Sequence, residues 1–404
     1  MTPWLAVVGI GEDGLAGLSA AARALVAEAQ VLVGGARHLA MVPTGTAERL
    51  PWRQPLAASL PEIAARRGRR VVVLASGDPL WYGVGALLAQ HFGRDEMIVL
   101  PQPGAFSLAA SRLRWPLAEC TTLTLHGRPL ERLALFLAPA AKLLILSEDG
   151  ATPARVARFL AERGWGESRL TVLERMGGTE ERRRDGTAAQ WPPERAADLN
   201  TLAIDCVAGP EARSLSRLAG LPDDAFRHDG QITKRVVRAA TLSALAPLPG
   251  ERLWDIGAGS GSIAIEWLRA GGGSAIAIER AGERVALIAE NAALLGVPEL
   301  EIVAGEAPTA LSDLPPPDAV FIGGGVSTAG VLEGAWDALR PGGRLVANAV
   351  TTAAEARLLA WQAARGGRLT RIAVSEAAPL GGGMAWRPLL PVTQLAAVKE
   401  GAGR

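Results

Sequence analysis

A run of glycines carries the first chemical signal in this 404-residue chain: Gly257, Gly259 and Gly261 alternate with Ala258 and Ser260 directly after the strand-like stretch Leu253–Ile256. Glycine at such a turn admits positive φ and lets the main chain come close to a ligand. A dinucleotide-binding loop would carry G-x-G-x-x-G and hold a pyrophosphate at the N-terminus of the next helix. Here the third glycine comes one residue early, and Ser262 occupies the dinucleotide position. Asp255, just ahead of the loop, would repel a pyrophosphate, whereas its carboxylate suits the ammonium-bearing end of S-adenosylmethionine. The next strand ends in Glu279, an acceptor placed for ribose hydroxyls, a feature nicotinamide enzymes share. Spacing and charge together favour the methyl donor; a nicotinamide-dependent oxidoreductase using the Gly257 loop is the alternative.

Two later segments extend this constellation. Gly305-Glu306-Ala307-Pro308 follows the third strand of the same series, where a methyl-donor fold presents its adenine contacts. Phe321-Ile322-Gly323-Gly324-Gly325 follows the fourth, at the edge where open α/β sheets bind ligands. No strong acid or base emerges: Glu266, on the helix after the glycine loop, is the candidate to face the cleft, and His228 is read as structural. In the N-terminal half, Val8-Gly9-Ile10-Gly11-Glu12-Asp13-Gly14 matches G-x-G-x-x-G formally. Glu12 and Asp13 put two negative charges where a pyrophosphate would sit, and the next strand ends in Gly34-Gly35 without an acid for a ribose, so a dinucleotide is disfavoured there. His126-Gly127-Arg128 reads equally as a grip on a substrate carboxylate or as a strand-end turn with a solvated arginine. Histidines 38, 91, 126 and 228 form no metal-ligand spacing, and no metal is expected.

These segments need a scaffold that brings strand ends together. From Trp4 to Val207, short β-like runs such as Leu5–Val8, Val31–Val33, Val71–Leu74, Lys142–Leu146 and Leu202–Val207 alternate with helical stretches such as Ser19–Glu28 and Pro153–Arg163. That alternation predicts α/β layers. Residues 208–229, with Gly209-Pro210, Gly220 and Pro222, read as a linker. A second series starts at Ile232 with a helix to about Ala246, then strands at 252–256, 275–279, 301–304, 319–322 and 344–347 with helices among them. Two antiparallel-looking strands, Leu369–Glu376 and Trp386–Val392, close it. The predicted domains are 1–207 and 230–404, two unrelated α/β halves. At 49% hydrophobic and 21% charged residues the chain can build sizeable cores. A net charge of +1 gives no global field to attract nucleic acid or a membrane surface. Cys120 and Cys206 fit no zinc, redox or disulfide pattern and are expected as buried thiols. The start runs straight into a strand without a signal peptide, and no apolar run is long enough to span a bilayer, so the expectation is a soluble, cytoplasmic protein.

On these motifs each half resembles a known family. His228-Asp-Gly-Gln-Ile-Thr-Lys234, Asp255-Ile-Gly-Ala-Gly-Ser-Gly261, Gly305-Glu-Ala-Pro308 and Phe321-Ile-Gly-Gly324 resemble the decarboxylating precorrin methyltransferase domain of cobalamin biosynthesis, over roughly Pro222 to Val392. The resemblance implies a class I Rossmann-like fold in which Thr233, Gly257 to Gly261, Glu279 and Ala307 touch S-adenosylmethionine. Val8-Gly-Ile-Gly11, Ala75-Ser-Gly77-Asp78-Pro, Leu100-Pro-Gln-Pro-Gly-Ala-Phe-Ser107 and Leu125-His-Gly-Arg128 resemble the tetrapyrrole methylases, from about Trp4 to Val207. That family implies a two-lobed fold with an unrelated donor site: Gly77, Asp78 and Ser107 on the cofactor, and Gly9 and Gly11 towards the tetrapyrrole. The Gly34–Thr46 loop is implied to lie near that active site. Together the halves resemble the fused precorrin-6Y methylases. The implied activity is methylation at carbons 5 and 15, using two S-adenosylmethionine sites, with decarboxylation of the acetate arm at carbon 12. The C-terminal half would take carbon 15 and the decarboxylation, and the N-terminal half carbon 5. Members of both families usually self-associate, so a homo-oligomer is expected. A methylase with only one active half is a further alternative.

Overall fold

A computed structural model describes residues 3–400, so the reading of the chain start lies partly outside the described residues, at Met1 and Thr2. The chain forms two units: the first runs through Arg128 and resumes over Ala138–Arg213, and the second comprises Pro129–Leu137 and the chain from Ser214 onward.

The first unit has two lobes. In one, β1 (Leu5–Ile10), β2 (Val31–Gly34), β3 (Glu48–Pro51), β4 (Val71–Ser76) and β5 (Met97–Leu100) form a parallel sheet in the order β3-β2-β4-β1-β5. Its central strands β2, β4 and β1 are buried on both faces, as parallel strands under helices must be. Leu5 and Val7 face one apolar core, and Ala6 and Val8 the other. Helices α1 (Ala20–Ala27), α2 (Ala36–Ala40), α3 (Leu60–Ala64) and α4 (Val84–His91) belong to this lobe. Helix α5 (Ala105–Leu113) leads into the second lobe, where β6 (Cys120–Thr124), β7 (Lys142–Leu146), β8 (Arg169–Glu174), β9 (Arg182–Thr187) and β10 (Asn200–Asp205) form a mixed sheet in the order β6-β7-β10-β8-β9, with α6 (Thr152–Ala161). Strand β3 escapes the sequence reading because it is a half-buried edge strand with polar residues and a proline, lacking an apolar run. Of the two thiols, Cys206 is buried and burial pushes it up to about 12, whereas Cys120 is only half-buried; both are free.

In the second unit α7 (Arg235–Leu245) precedes β11 (Arg252–Ile256), α8 (Ser262–Arg269), β12 (Ser274–Glu279), α9 (Gly282–Leu294), β13 (Glu301–Ala304), β14 (Ala319–Ile322), α10 (Val331–Ala338), β15 (Arg344–Ala349) and α11 (Thr352–Arg365). Strands β16 (Arg368–Ile372), β17 (Ser375–Leu380), β18 (Gly383–Pro388) and β19 (Val392–Val398) follow. The sheet order is β13-β12-β11-β14-β15-β19-β16, parallel as far as β15 and antiparallel on both sides of β19. Alternation along β11 sends Leu253 to the face covered by α7, α8 and α9, and Trp254 and Ile256 to the face covered by α10 and α11. The strand order reverses between β11 and β14, which opens a crevice at their C-terminal ends.

Two expectations need correction. The closing strands are four: β16 and β19 join the main sheet, while β17 and β18 form a separate hairpin, because Gly381-Gly382-Gly383 turns the chain inside what reads as one polar connection. Nor is 208–229 a free linker. Leu221, Ala225 and Phe226 are buried in the second unit's core against α7 and α8, so that unit begins near Ser214. Among the described residues no helix is long and apolar enough to cross a membrane.

Candidate functional site

The crevice of the second unit holds a cavity of about 710 Å³, within the range of small-molecule sites. Its floor is the glycine loop. Gly257, Gly259 and Gly261 have φ of +70°, +60° and +75°, which L side chains rarely adopt. A Cβ on Gly257 would lie 2.7 Å from the main chain of Gly324, so the loops after β11 and β14 can meet only because Gly257 is bare. Gly257, Ala258, Gly259 and Ser260 line the cavity, as does Thr233 from the segment before α7. Gly261 instead packs on Ile288, where a Cβ would come within 2.9 Å.

Two acids sit beneath this loop. Glu279, at the end of β12, accepts the Gly259 N–H at 2.9 Å and the Ala281 N–H at 3.0 Å, which pins the loop and leaves further lone pairs on each oxygen. Asp255 is 1% exposed and does not line the cavity. Its Oδ2 accepts the Ala264 N–H at 3.0 Å, its Oδ1 has no partner, and burial, reinforced by Glu279, raises its carboxyl to about 7. The expected direct hold of Asp255 on an ammonium group is therefore corrected: its side chain lies under the loop, tied to the first turn of α8. Ala307 is half-buried on the opposite apolar core and is not on the cavity wall.

Glu266 is also corrected. It is buried, and its Oε1 pairs with Arg238 Nε at 2.6 Å while its two oxygens take the N–H groups of Gly220 and Leu221 at 2.6 and 3.0 Å. These three bonds fasten α8 to α7 and to the segment before it. The phase of α8 turns it away from the cleft. His228 Nδ1 accepts the Gly230 N–H at 3.0 Å in a local turn, consistent with a structural role.

Residues that the sequence reading did not single out complete the cavity. Lys234 and Arg284 are its cations, and none of its lining residues is an acid. Arg284 is held by Asp229 and Gln231. Asn348 comes from the end of β15, while Val350, Val374, Leu389, Leu390 and Val392 form an apolar end. Their one sequence signal is position near strand ends: Asn348 and Val350 close to the end of β15, and Val392 at the start of β19.

In the first unit the cradle is built from close main-chain packing. A Cβ on Gly9 would fall 1.9 Å from the Gly77 carbonyl oxygen, and one on Gly77, at φ +53°, would fall 2.6 Å from Gly104 Cα. Gly9 is thus buried packing space beneath the loop, not a surface towards a tetrapyrrole. Gly11 and Gly77 line a cavity of about 70 Å³, smaller than small-molecule sites usually are. Around it Glu12 pairs with Arg37, and Arg37 and His38 both reach Ser76 Oγ, at 2.9 and 3.0 Å. Burial and the neighbouring Arg37 depress His38 to about 4. The Gly34–Thr46 loop therefore does reach this cavity. Asp78 Oδ1 accepts the Leu80 N–H at 2.9 Å in a turn, and Ser107 is exposed on α5. His126 and Arg128 are exposed and line neither cavity.

The second unit's site fits S-adenosylmethionine on two grounds: the bare glycine cradle and the buried, unpartnered Ser260 Oγ beside it.

Comparison with known proteins agrees. Residues 5–192 match the tetrapyrrole (corrin/porphyrin) methylases, and residues 224–399 match the precorrin methyltransferase domain. A Sinorhizobium protein named precorrin-6Y C(5,15)-methyltransferase (decarboxylating) is 53% identical over 396 residues, 98% of this chain and 96% of that protein. Two shorter relatives each align with under half of the chain. The "Cobalt-precorrin-7 C(5)-methyltransferase" of Salmonella typhimurium is 34% identical over 180 residues, 44% of this chain and 88% of that protein. The "Probable cobalt-precorrin-6B C(15)-methyltransferase (decarboxylating)" of Saccharolobus solfataricus is 34% identical over 140 residues, 33% of this chain and 70% of that protein. With two cradles in one chain and near-complete alignment to the Sinorhizobium protein, this chain belongs to the family of decarboxylating precorrin-6Y C(5,15)-methyltransferases.

Proposed function

We propose that this chain methylates a precorrin at carbons 5 and 15 and decarboxylates its acetate arm, with one S-adenosylmethionine site in each unit. The observation that carries the reading is the cavity over the Gly257–Gly324 contact, which joins a donor-sized cradle to an apolar chamber. Bound S-adenosylmethionine supplies an electrophilic methyl group. The protein's task is then to align an electron-rich ring carbon with it. In the second unit the loop from Gly257 to Ser260 holds the donor, Thr233 closes over it, and Glu279, which lies off the cavity wall, pins that loop from beneath. In the first unit Gly77, with Asp78 and Ser107 beside it, is assigned to the second donor, and His126 and Arg128 to a substrate carboxylate. The separate C(5) and decarboxylating C(15) relatives support carbon 5 for the first unit and carbon 15 with decarboxylation for the second. Nicotinamide chemistry at the Gly257 loop is not favoured.

Self-association belongs to the same proposal. It is supported by Leu380, Met384 and Trp386 on the β17–β18 hairpin, all more than 60% exposed. No nucleic-acid partner and a cytoplasmic location complete the reading. The test uses the full chain, radiolabelled methyl donor and a precorrin lacking both methyl groups. Gly257→Val and Gly77→Val each drive a side chain into main chain, so each is expected to abolish one methylation and spare the other. Loss of both methylations from either change defeats the division of labour.

A further inference from the structure

The cavity of the second unit is polarised along its length. Its two cations, Lys234 and Arg284, lie on the segment before α7 and on α9, the half of the unit that carries the donor loop. The other end is made by β15, β19 and the chain between β16 and β19: Asn348, Val350, Val374, Leu389, Leu390 and Val392. No charged side chain lines that end, and Asn348 is its one polar side chain.

Asn348 is held in a defined orientation. The Thr241 hydroxyl donates to the Val237 carbonyl at 2.8 Å, which leaves its lone pairs for the Asn348 and Gln394 amides, each donating at 3.0 Å. Gln394 gives its second N–H to Asn348 Oδ1 at 3.0 Å. The Asn348 amide therefore keeps one N–H to offer to the cavity it lines. A single neutral donor in an apolar wall can orient a carboxylate without neutralising it.

We propose that this uncharged end is the decarboxylation chamber, which takes the acetate arm of the precorrin, orients its carboxylate on Asn348 and withholds any counter-ion. The inference rests on the assignment of decarboxylation to the second unit. The half-exposed and exposed side chains at the rim, Val350 and Leu390 among them, give the apolar face of the macrocycle a seat that closes the chamber to water. In methyl transfer the ring carbon gives an electron pair to the new C–C bond, and the conjugated ring is left electron-poor. The bond between the carboxylate carbon and the arm's methylene then breaks, its electron pair enters the ring and carbon dioxide leaves; a solvent proton converts the methylene to a methyl as the methylated ring carbon releases its own proton to solvent. Localised charge on the carboxylate spreads over the ring as this happens. A site without a cation favours that change, whereas a counter-ion would hold the starting state.

The test follows two labels in the full chain: radiolabelled methyl from the donor and radiolabelled carbon dioxide from the acetate carboxyl of the precorrin. Val374→Lys puts a cation in the chamber, and Val374→Met is the uncharged control. The lysine variant is expected to lower carbon dioxide release per methyl transferred about a hundredfold relative to the methionine variant, whatever its rate of methyl transfer, the effect of a full charge a few ångströms away at the effective dielectric of a protein. The methylated product retains the carboxyl, and mass spectrometry reads it directly. Leu390→Lys, at an exposed position neutral to folding, is expected to move the same ratio in the same direction by a smaller factor, and it decides the matter if Val374→Lys does not fold. An unchanged ratio in the folded lysine variants overturns the chamber. Decarboxylation that persists in Gly257→Val overturns instead its assignment to this unit.

Discussion

Replacing Glu266 by alanine separates a structural from a catalytic role for this acid. Its carboxylate is the buried counter-ion of Arg238, whose guanidinium is fully buried, and it also takes two main-chain N–H groups. Removal leaves Arg238 Nε and the N–H groups of Gly220 and Leu221 without partners. Breaking a buried pair of this kind costs about 3–5 kcal/mol. Asp223, 3.0 Å from Arg238 Nη1, remains as a second counter-ion and puts the expected loss at the low end, about 3 kcal/mol. For a unit of this size each kcal/mol moves the midpoint by roughly 2–4 °C, so Tm should fall by about 6–12 °C. Arg238 also donates to the carbonyl of Thr233, which lines the cavity, so the KM for the donor should rise modestly. The turnover number, measured well below Tm with saturating donor, should stay within about twofold of the parent, since no lost contact is made only in the transition state. Scanning calorimetry paired with carbon-15 methyl transfer provides the assay. A turnover number reduced a hundredfold at unchanged Tm would refute the reasoning and return Glu266 to the chemistry.

Asp255 makes stability pH-dependent with a definite sign. The folded carboxyl keeps its proton up to about 7, whereas the unfolded one loses it near 3.8, so between those values the folded state binds more protons and stability falls as pH rises. Asp255→Asn should flatten that slope and gain on the parent by a few kcal/mol at pH 8 relative to pH 4, as read from urea midpoints; an undiminished slope would show that another group is responsible. Trp386→Glu puts a charge on the exposed β17–β18 hairpin, and light scattering should find a smaller assembly with the same methyl transfer; an unchanged mass would remove the hairpin from the interface.

The donor loop was legible in the sequence because turn chemistry is local. Three positive-φ glycines and an acid ending the next strand occupy a short stretch, and their types state what the backbone must do. The succession of strands and helices along the chain followed from alternation, whereas their order in the sheet did not. Side-chain roles that depend on distant partners were not legible. Glu266 finds Arg238 28 residues away, and no spacing rule distinguishes a helix face towards a cleft from one towards another helix. Asn348 owes its orientation to Thr241 and Gln394, which lie 107 residues before it and 46 after it in the chain. Asp255 is expected at an ammonium group and instead lies under the loop. Its burial comes from the first turn of α8 folding over it, which residue types do not announce. The hairpin was missed because Gly381-Gly382-Gly383 signals a turn without saying which strands pair across it.

The placement of β19 has a consequence for how the unit is assembled during synthesis. It is the last of the described strands in chain order, yet it lies inside the sheet, with β15 on one side and β16 on the other. Strand β16, made earlier, has no place in the sheet until β19 arrives, so the nascent second unit waits with an open edge at β15. The same strand brings Val392 to the cavity wall and Gln394 to the Asn348 amide. Completion of the sheet edge and completion of the chamber are thus a single event, and a chain lacking that strand is left with both an unfinished site and an exposed sheet edge, a template for pairing with other chains.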